Sequence, residues 1–330
     1  NDPYPETPEG IARYKWHIID KFHDVLSEYA DETVRISTLE ELAEYSDRSG
    51  VHVRMEPGTY EITADKSKEL FGGGMPRFTG SDSYYDLRGV EIKRGADVDT
   101  HWVALGGNNN ILRGLRIIDA GFTGGEEYNL VHDVKILNRG GWPYGYQEGH
   151  HMRNQFGIKD RVKGSSFSPG YNGYYIDLEV KHRRPGHIMA HGWRPRHTYI
   201  DCYFSGQVRL TDDILKGNVG PTIDKDIIDP LPEGFDLSKH MKPGQIVPLC
   251  EDIFRAYNGG KDTPGRLKVL GSTIKRCRRG PFRGEFENIF FSNTKMHGII
   301  WGPFTIRGNP TRIVNCEVDL LSGMLLRLAG

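Results

Sequence analysis

The chain has 330 residues, enough for one large domain or two ordinary ones, and its formal net charge of −1 supplies no global basic field for nucleic acid. Hydrophobic residues make up 37%, which excludes a disordered chain and is low for a helical enzyme, while 41 glycines suit many short strands joined by tight turns. No run of 18 apolar residues occurs, so no membrane span is expected, and Cys202, Cys250, Cys277 and Cys316 lack the C-x-x-C spacing of a zinc site and are expected as free thiols.

The chain opens at Asn1 without Met, as a mature secreted or periplasmic protein or a trimmed chain would. Apolar residues at Ile11, Trp16, Ile19, Phe22, Val25 and Leu26 predict a helix over residues 11–29. Ser37 is expected to N-cap a second short helix, with Glu40 completing a capping box and Leu39, Leu42 and Tyr45 on the apolar face. Val51–Met55 and Thr59–Ile62 read as strands around the turn Glu56-Pro57-Gly58. Residues 1–50 are thus expected to form an N-terminal helical segment and cap, and residues 51–330 the main β domain.

The main signal is an internal repeat. Strand-like pairs recur at Leu115-Ile117, Val134-Ile136, Leu178-Val180, Cys202-Phe204, Ser272-Ile274, Thr294-Met296 and Cys316-Val318. The steps from Ser272 to Thr294 and from Thr294 to Cys316 are both 22 residues, about one rung of a coiled parallel sheet. A single rung cannot bury its own apolar face, whereas stacked rungs share one core. Gly186, Gly280, Gly298 and Gly323 each precede a further apolar run and are expected to let the chain corner between two sheets of a rung. Two intervals exceed one period. Val134 to Leu178 leaves room for an extra rung with excursions, and Cys202 to Ser272 holds a polar, Pro-containing loop. A β-sandwich would show hairpin turns every 8 to 12 residues, which the 22-residue spacing argues against.

From Ser37 to Gly330 the chain resembles the right-handed parallel β-helix superfamily typified by pectate lyases. The stretch STLEELAEYSDRSGVHVRMEPGTYEI is similar to the opening rung of polysaccharide lyases and related epimerases. The resemblance implies an all-β, single-stranded right-handed parallel β-helix with an N-terminal helical cap and long inserted loops. Activity does not follow from it, since the fold carries lyases, hydrolases, epimerases and phage spikes. The Asn-x-Asp-Gly motif expected of polygalacturonase-like hydrolases and the Asp-Pro-His-Asp motif expected of alginate epimerases do not occur.

Between His150 and Arg196, Lys and Arg outnumber Asp and Glu nine to three, a local excess that fits an acidic polysaccharide. A lyase acting on uronate must neutralise the carboxylate, take the C5 proton and protonate the leaving oxygen. Lys181, His187 and His191 are the expected basic groups, and Tyr144 and Tyr146 the expected acid or base partners. Substrate binding is expected from His151, Arg153, Tyr175, Arg183, Trp193, Arg194, Arg196 and Asp213. In these, the guanidinium forks suit carboxylates and Trp193 suits the face of a sugar. Asp212 and Asp213 form a carboxylate pair that a hydrolase would use, or that would hold Ca²⁺; otherwise no cofactor is expected. A plainer function, a noncatalytic glycan-binding coil, uses the same features. A monomer is expected, with neither nucleic acid nor membrane as partner.

Overall fold

The computed structural model describes residues 3–27, 32–95, 98, 102–124, 127–138, 167–182, 189–191, 196–209, 212, 242–244, 246–248, 254–256, 265–275, 282–299, 304–307, 311–320 and 326–328. Among the described elements, three helices, α1 (Pro8–Leu26), α2 (Leu39–Ser46) and α3 (Ala64–Phe71), accompany a series of strands. Thr38, not Ser37, caps α2. Its hydroxyl accepts from the Glu41 N–H, and the Glu41 carboxylate accepts from the backbone of both Ser37 and Thr38. The capping box is present, one residue later than expected.

The strands form parallel sheets that the chain visits in turn. The first includes His52–Met55, Tyr84–Asp86, Ile111–Arg113, Leu130–His132, Tyr174–Ile176, Arg196–Ile200, Gly265–Leu270 and Thr311–Val314. The second runs Gly58–Ile62, Val90–Arg94, Arg116–Ile118, Lys135–Asn138, Glu179–His182, Tyr203–Ser205, Thr273–Lys275, Lys295–Ile299 and Glu317–Leu320. The third includes Trp102–Leu105, Gly121–Thr123, Phe167–Ser168, Met189–His191, Phe254–Ala256, Phe304–Arg307 and Leu326–Leu328. Phe282–Ser292 passes from the third sheet into the first without a break and so joins them. The fold is all-β and of parallel β-helix-like design.

The repeat read from the sequence is the inward column of the second sheet. Ile92, Ile117, Ile136, Val180, Phe204, Ile274, Met296 and Val318 are in register on successive strands. The first sheet contributes Val53, Tyr85, Leu112, Val131, Tyr175, Tyr199, Val269 and Phe291 to the same apolar cluster. Full burial of such side chains is worth about 1.5–3 kcal/mol each before the entropy of ordering the chain is charged against it.

The expected extra rung between Val134 and Leu178 does not form. Lys135–Asn138 pairs directly with Glu179–His182, so the interval makes one turn of the coil, through Phe167–Ser168 and Tyr174–Ile176. The interval from Cys202 to Ser272 likewise makes one turn, through Phe254–Ala256 and Gly265–Leu270, because Tyr203–Ser205 pairs directly with Thr273–Lys275. Within that interval Gln207–Arg209 pairs antiparallel with Ile246–Pro248.

The corner from the first sheet to the second is made by one left-handed residue. Asp133, Asp177, Asp201, Asn293 and Asn315 have φ between 49° and 54° there, and Gly114 and Gly271 fill the same place on other rungs. Each corner N–H donates to a carbonyl of the next rung, Asp133 to Ile176, Asp177 to Ile200, Asp201 to Leu270 and Asn293 to Val314, at 2.9–3.0 Å. Asp and Asn tolerate this conformation because their short side chains hydrogen-bond locally. At position 271 a Cβ would collide with the Asp201 carboxylate, which accounts for glycine there. Of the glycines expected to turn the corner into the third sheet, Gly298 lies within strand Lys295–Ile299, and Gly186, Gly280 and Gly323 lie outside the described residues.

At the corner from the third sheet to the first, buried asparagines bridge rungs. Asn110 donates to the carbonyls of Gly80 and Gly106 and accepts from Ser83 N–H. Asn129 accepts from Asn110 N–H and donates to Gly107 and Gly124 carbonyls. Buried amides paired at every position hold the register, since a slipped rung would leave them unsatisfied. Cys202 and Cys316 are free thiols, as expected. Among the described residues no helix is long and apolar enough to cross a membrane.

The exposed Asp133 tests the corner. Asp133→Val, which puts a β-branched residue at positive φ, is expected to cost about 1–2 kcal/mol in urea denaturation, whereas Asp133→Gly is expected to fall within a few tenths of wild type.

Candidate functional site

Few of the side chains expected at the site lie among the described residues. Lys181 is on the outer face of the second sheet, exposed, and forms an ion pair with Glu179 of its own strand. Its strand neighbours are Leu137 below and Ser205 above. His182, next in the chain, turns the other way and is fully buried beside Asn138. His191 ends strand Met189–His191 in the third sheet, one strand after Lys181 in the same rung. Arg196 is exposed at the start of Arg196–Ile200, in register with Arg266.

Tyr175 is placed differently from the expectation. It is 1% exposed, its ring stacks on Tyr199, and its hydroxyl accepts from Gly170 N–H. It belongs to the core and is out of reach of a substrate on the outer face. Burial pushes its hydroxyl well above the ordinary tyrosine range. Asp212 is exposed. Tyr144, Tyr146, His151, Arg153, Arg183, His187, Trp193, Arg194 and Asp213 lie outside the described residues. Among the described residues no group of three His, Cys, Asp or Glu could hold a metal ion.

The strand roots of these segments are well placed. Asn138 and His182 are register partners at the ends of adjacent strands, and Ser205 is the partner of Lys181 on the next. Strands Lys135–Asn138, Glu179–His182 and Tyr203–Ser205 thus end side by side on consecutive rungs, and residues 139, 183 and 206 are the next in the chain after them.

A second polar site was missed by the sequence reading. Helix α1 lies along the outer face of the first sheet, where Ile11, Ile18, Ile19, Phe22 and Leu26 bury against Ile111, Leu130, Ile176, Ile200, Leu270 and Phe290. Trp16, expected on the apolar face, is 57% exposed, and Ile18 takes its place. Lys15 bridges two corner carboxylates, Asp177 at 2.7 Å and Asp201 at 2.9 Å, and His132 meets the other Asp177 oxygen at 3.3 Å. Although burial opposes it, the hydrogen bonds from His132 and Lys15 hold the Asp177 carboxyl below the usual carboxylate range.

Where α1 ends, a cleft of about 380 Å³ opens, lined by His23, Ser27, Thr33, His52, Val53, Arg54, Tyr84 and Asp86. Both His rings meet Tyr84 edge-on, His23 with centroids at 5.2 Å and His52 at 5.7 Å. Arg88 grips Asp86 with two hydrogen bonds of 2.7 and 2.6 Å. Burial depresses the pKa of His23 and of His52, and the charges of Arg113 and His132 depress His23 further. Neutral imidazoles are thereby favoured at the carboxyl end of α1. The signal for this site was the outward column Arg54, Asp86, Arg113 and His132, in register on successive strands.

No protein-family model matches the chain, and no curated protein sequence matches it.

A histidine whose folded pKa lies below its unfolded value contributes stability above the unfolded pKa and loses it as pH falls toward the folded one. The thermal midpoint is therefore expected to fall as pH drops from 7 to 5, and a His23→Asn/His52→Asn double variant to show a shallower slope in the same scan. An unchanged slope would remove these two residues from the α1 seam.

Proposed function

We propose that the protein is a polysaccharide lyase that cleaves a uronic-acid-containing, alginate-like polymer by β-elimination. We further propose that its sheets close into a single-stranded right-handed parallel β-helix with an N-terminal helical cap. The handedness is supported by the strong right-handed preference of connections between parallel strands. The reading rests above all on one observation: strands Lys135–Asn138 and Glu179–His182 end side by side on consecutive rungs, and the stretches that follow them in the sequence, 139–166 and 183–188, carry Tyr144, Tyr146, His151, Arg153, Arg183 and His187. The strand bearing His191 belongs to the same rung as Lys181, and Trp193 and Arg194 directly follow it in the chain.

The chemistry divides among these groups. Arg153, Arg183, Arg194 and Arg196 neutralise substrate carboxylates, so that charge can develop on the uronate as the C5 proton leaves. His191, His187 or Lys181 takes that proton. The electron pair forms the C4=C5 double bond, the bond from C4 to the glycosidic oxygen breaks, and Tyr144 or Tyr146 delivers a proton to the departing oxygen. Lys181 pairs with Glu179 on the outer face. Asp213 binds substrate, and Asp212 and Asp213 are the residues available to a Ca²⁺ ion, although no step needs one. The His23 and His52 cleft is assigned to docking of α1. A secreted or periplasmic monomer acting on acidic polysaccharide fits this chemistry.

Incubation with polyuronates is expected to generate ultraviolet absorbance from unsaturated ends, and His191→Ala to lower kcat by about 10²–10⁴-fold. Saturated new ends would indicate a hydrolase, changed C5 configuration without cleavage an epimerase, and unaltered polymer a binding coil. Each of these three outcomes contradicts the proposal.

A further inference from the structure

The corner from the third sheet to the first holds a second left-handed column. Asp82, Asn109, Tyr128 and Asn172 stand in equivalent places, each two residues before its strand, with φ of 55°, 56°, 57° and 51°. Three of the four are Asp or Asn, the side chains suited to that conformation. Tyrosine is not, and a bulky residue at positive φ is a real outlier. Nor does burial compensate, because Tyr128 is 49% exposed.

A second exposed ring stands one rung on. Tyr171 is 39% exposed and immediately precedes Asn172, the register equivalent of Tyr128. Adjacent strands lie about 4.8 Å apart, so the two rings are carried by neighbouring turns of the chain. Their surroundings are polar: the amides of Asn108, Asn109 and Asn172 and the exposed Glu127 lie at the same corner, where the Asn109 amide donates to Asp82 at 3.0 Å and the Asn108 oxygen accepts from the Glu127 N–H at 2.9 Å. An apolar protein face would meet neither the Asn172 amide nor the Asn108 amide N–H groups, nor the tyrosine hydroxyls. A hydroxyl-rich ring system meets both, with an apolar face for the tyrosines and hydroxyls for the amides.

We propose that Tyr128 and Tyr171 form a glycan-stacking platform at this corner, with a pyranose polymer as its ligand. Backbone strain retained at an exposed ring is expected where the ring has a use. The platform is independent of the lyase chemistry, since stacking takes neutral and uronate sugars alike.

The test is electrophoresis of the full chain through gels holding polyuronate, sulfated or neutral polysaccharide, paired with thermal melting. Wild type is expected to be retarded by at least one polymer. Tyr128→Asn is expected to raise the apparent Tm by about 1–3 °C, as strain is relieved. It is also expected to weaken retardation roughly three- to tenfold, the worth of one aromatic contact. Tyr171→Ala is expected to weaken retardation with Tm unchanged. The proposal is overturned if no polymer retards wild type, if Tyr128→Asn binds as wild type does, or if it lowers Tm. Unsaturated ends from soluble oligosaccharides report on the lyase separately, so either idea can fail alone.

Discussion

The structure depends on a one-residue left-handed turn repeated rung after rung. At Asp133, Asp177, Asp201, Asn293 and Asn315 the chain leaves the first sheet for the second through a positive φ, and at the first four the N–H crosses to the next rung. Because each corner donates to the rung beyond it, the turn and the inter-rung register form together. The inward column from Ile92 to Val318 follows from that register, and so does the buried apolar cluster. On the opposite side, Asn110 and Asn129 fix the same stacking with buried amides that bridge neighbouring rungs.

The corner also carries the strap that covers the first sheet. Asp177 and Asp201 present carboxylates on consecutive rungs, and Lys15 of α1 spans them. Asn293 and Asn315 donate from later corners to the Glu6 carbonyl, just before α1 begins. One column of residues thus turns the chain, ties rung to rung and seats a helix. The raised pKa of Lys15 and the lowered pKa of Asp177 keep that contact charged through the neutral range. Its contribution declines in strong alkali, as Lys15 deprotonates, and in acid, as Asp177 takes up a proton. His23 and His52 make the carboxyl end of α1 the more acid-sensitive end.

Much of the coil was legible because its signal is periodic. Apolar pairs at 22-residue steps identified the second sheet, and every such pair proved to follow a Gly, Asp or Asn at the corner. Glycine is the commoner carrier of positive φ, so the glycines after the strand are the more conspicuous corner signal, although the Asp and Asn before it make the turn. Length alone could not separate a rung from an excursion, so the interval before Leu178 was read as holding an extra turn of coil. The helix was legible, but Trp16 and Ile18 were exchanged because no spacing tells which flank meets a sheet. Tyr174 and Tyr175 are both aromatic, and only the strand parity set by Val131 and Tyr199 sends Tyr175 inward. The His23 and His52 cleft was not legible, since its residues come from α1 and separate rungs.

Stacking in this register is tested most directly by cross-linking across the second sheet. Glu179, Tyr203 and Thr273 stand in line on three successive strands. Neighbours about 4.8 Å apart are within the span of a disulfide, and positions two strands apart, near 9.6 Å, are not. Oxidation of a Glu179→Cys/Tyr203→Cys variant should give a 179–203 disulfide in a non-reducing peptide map, and Glu179→Cys/Thr273→Cys should give no 179–273 link. A 179–273 disulfide, or failure of the 179–203 pair to close, would contradict the stacking on which the corner and its site depend.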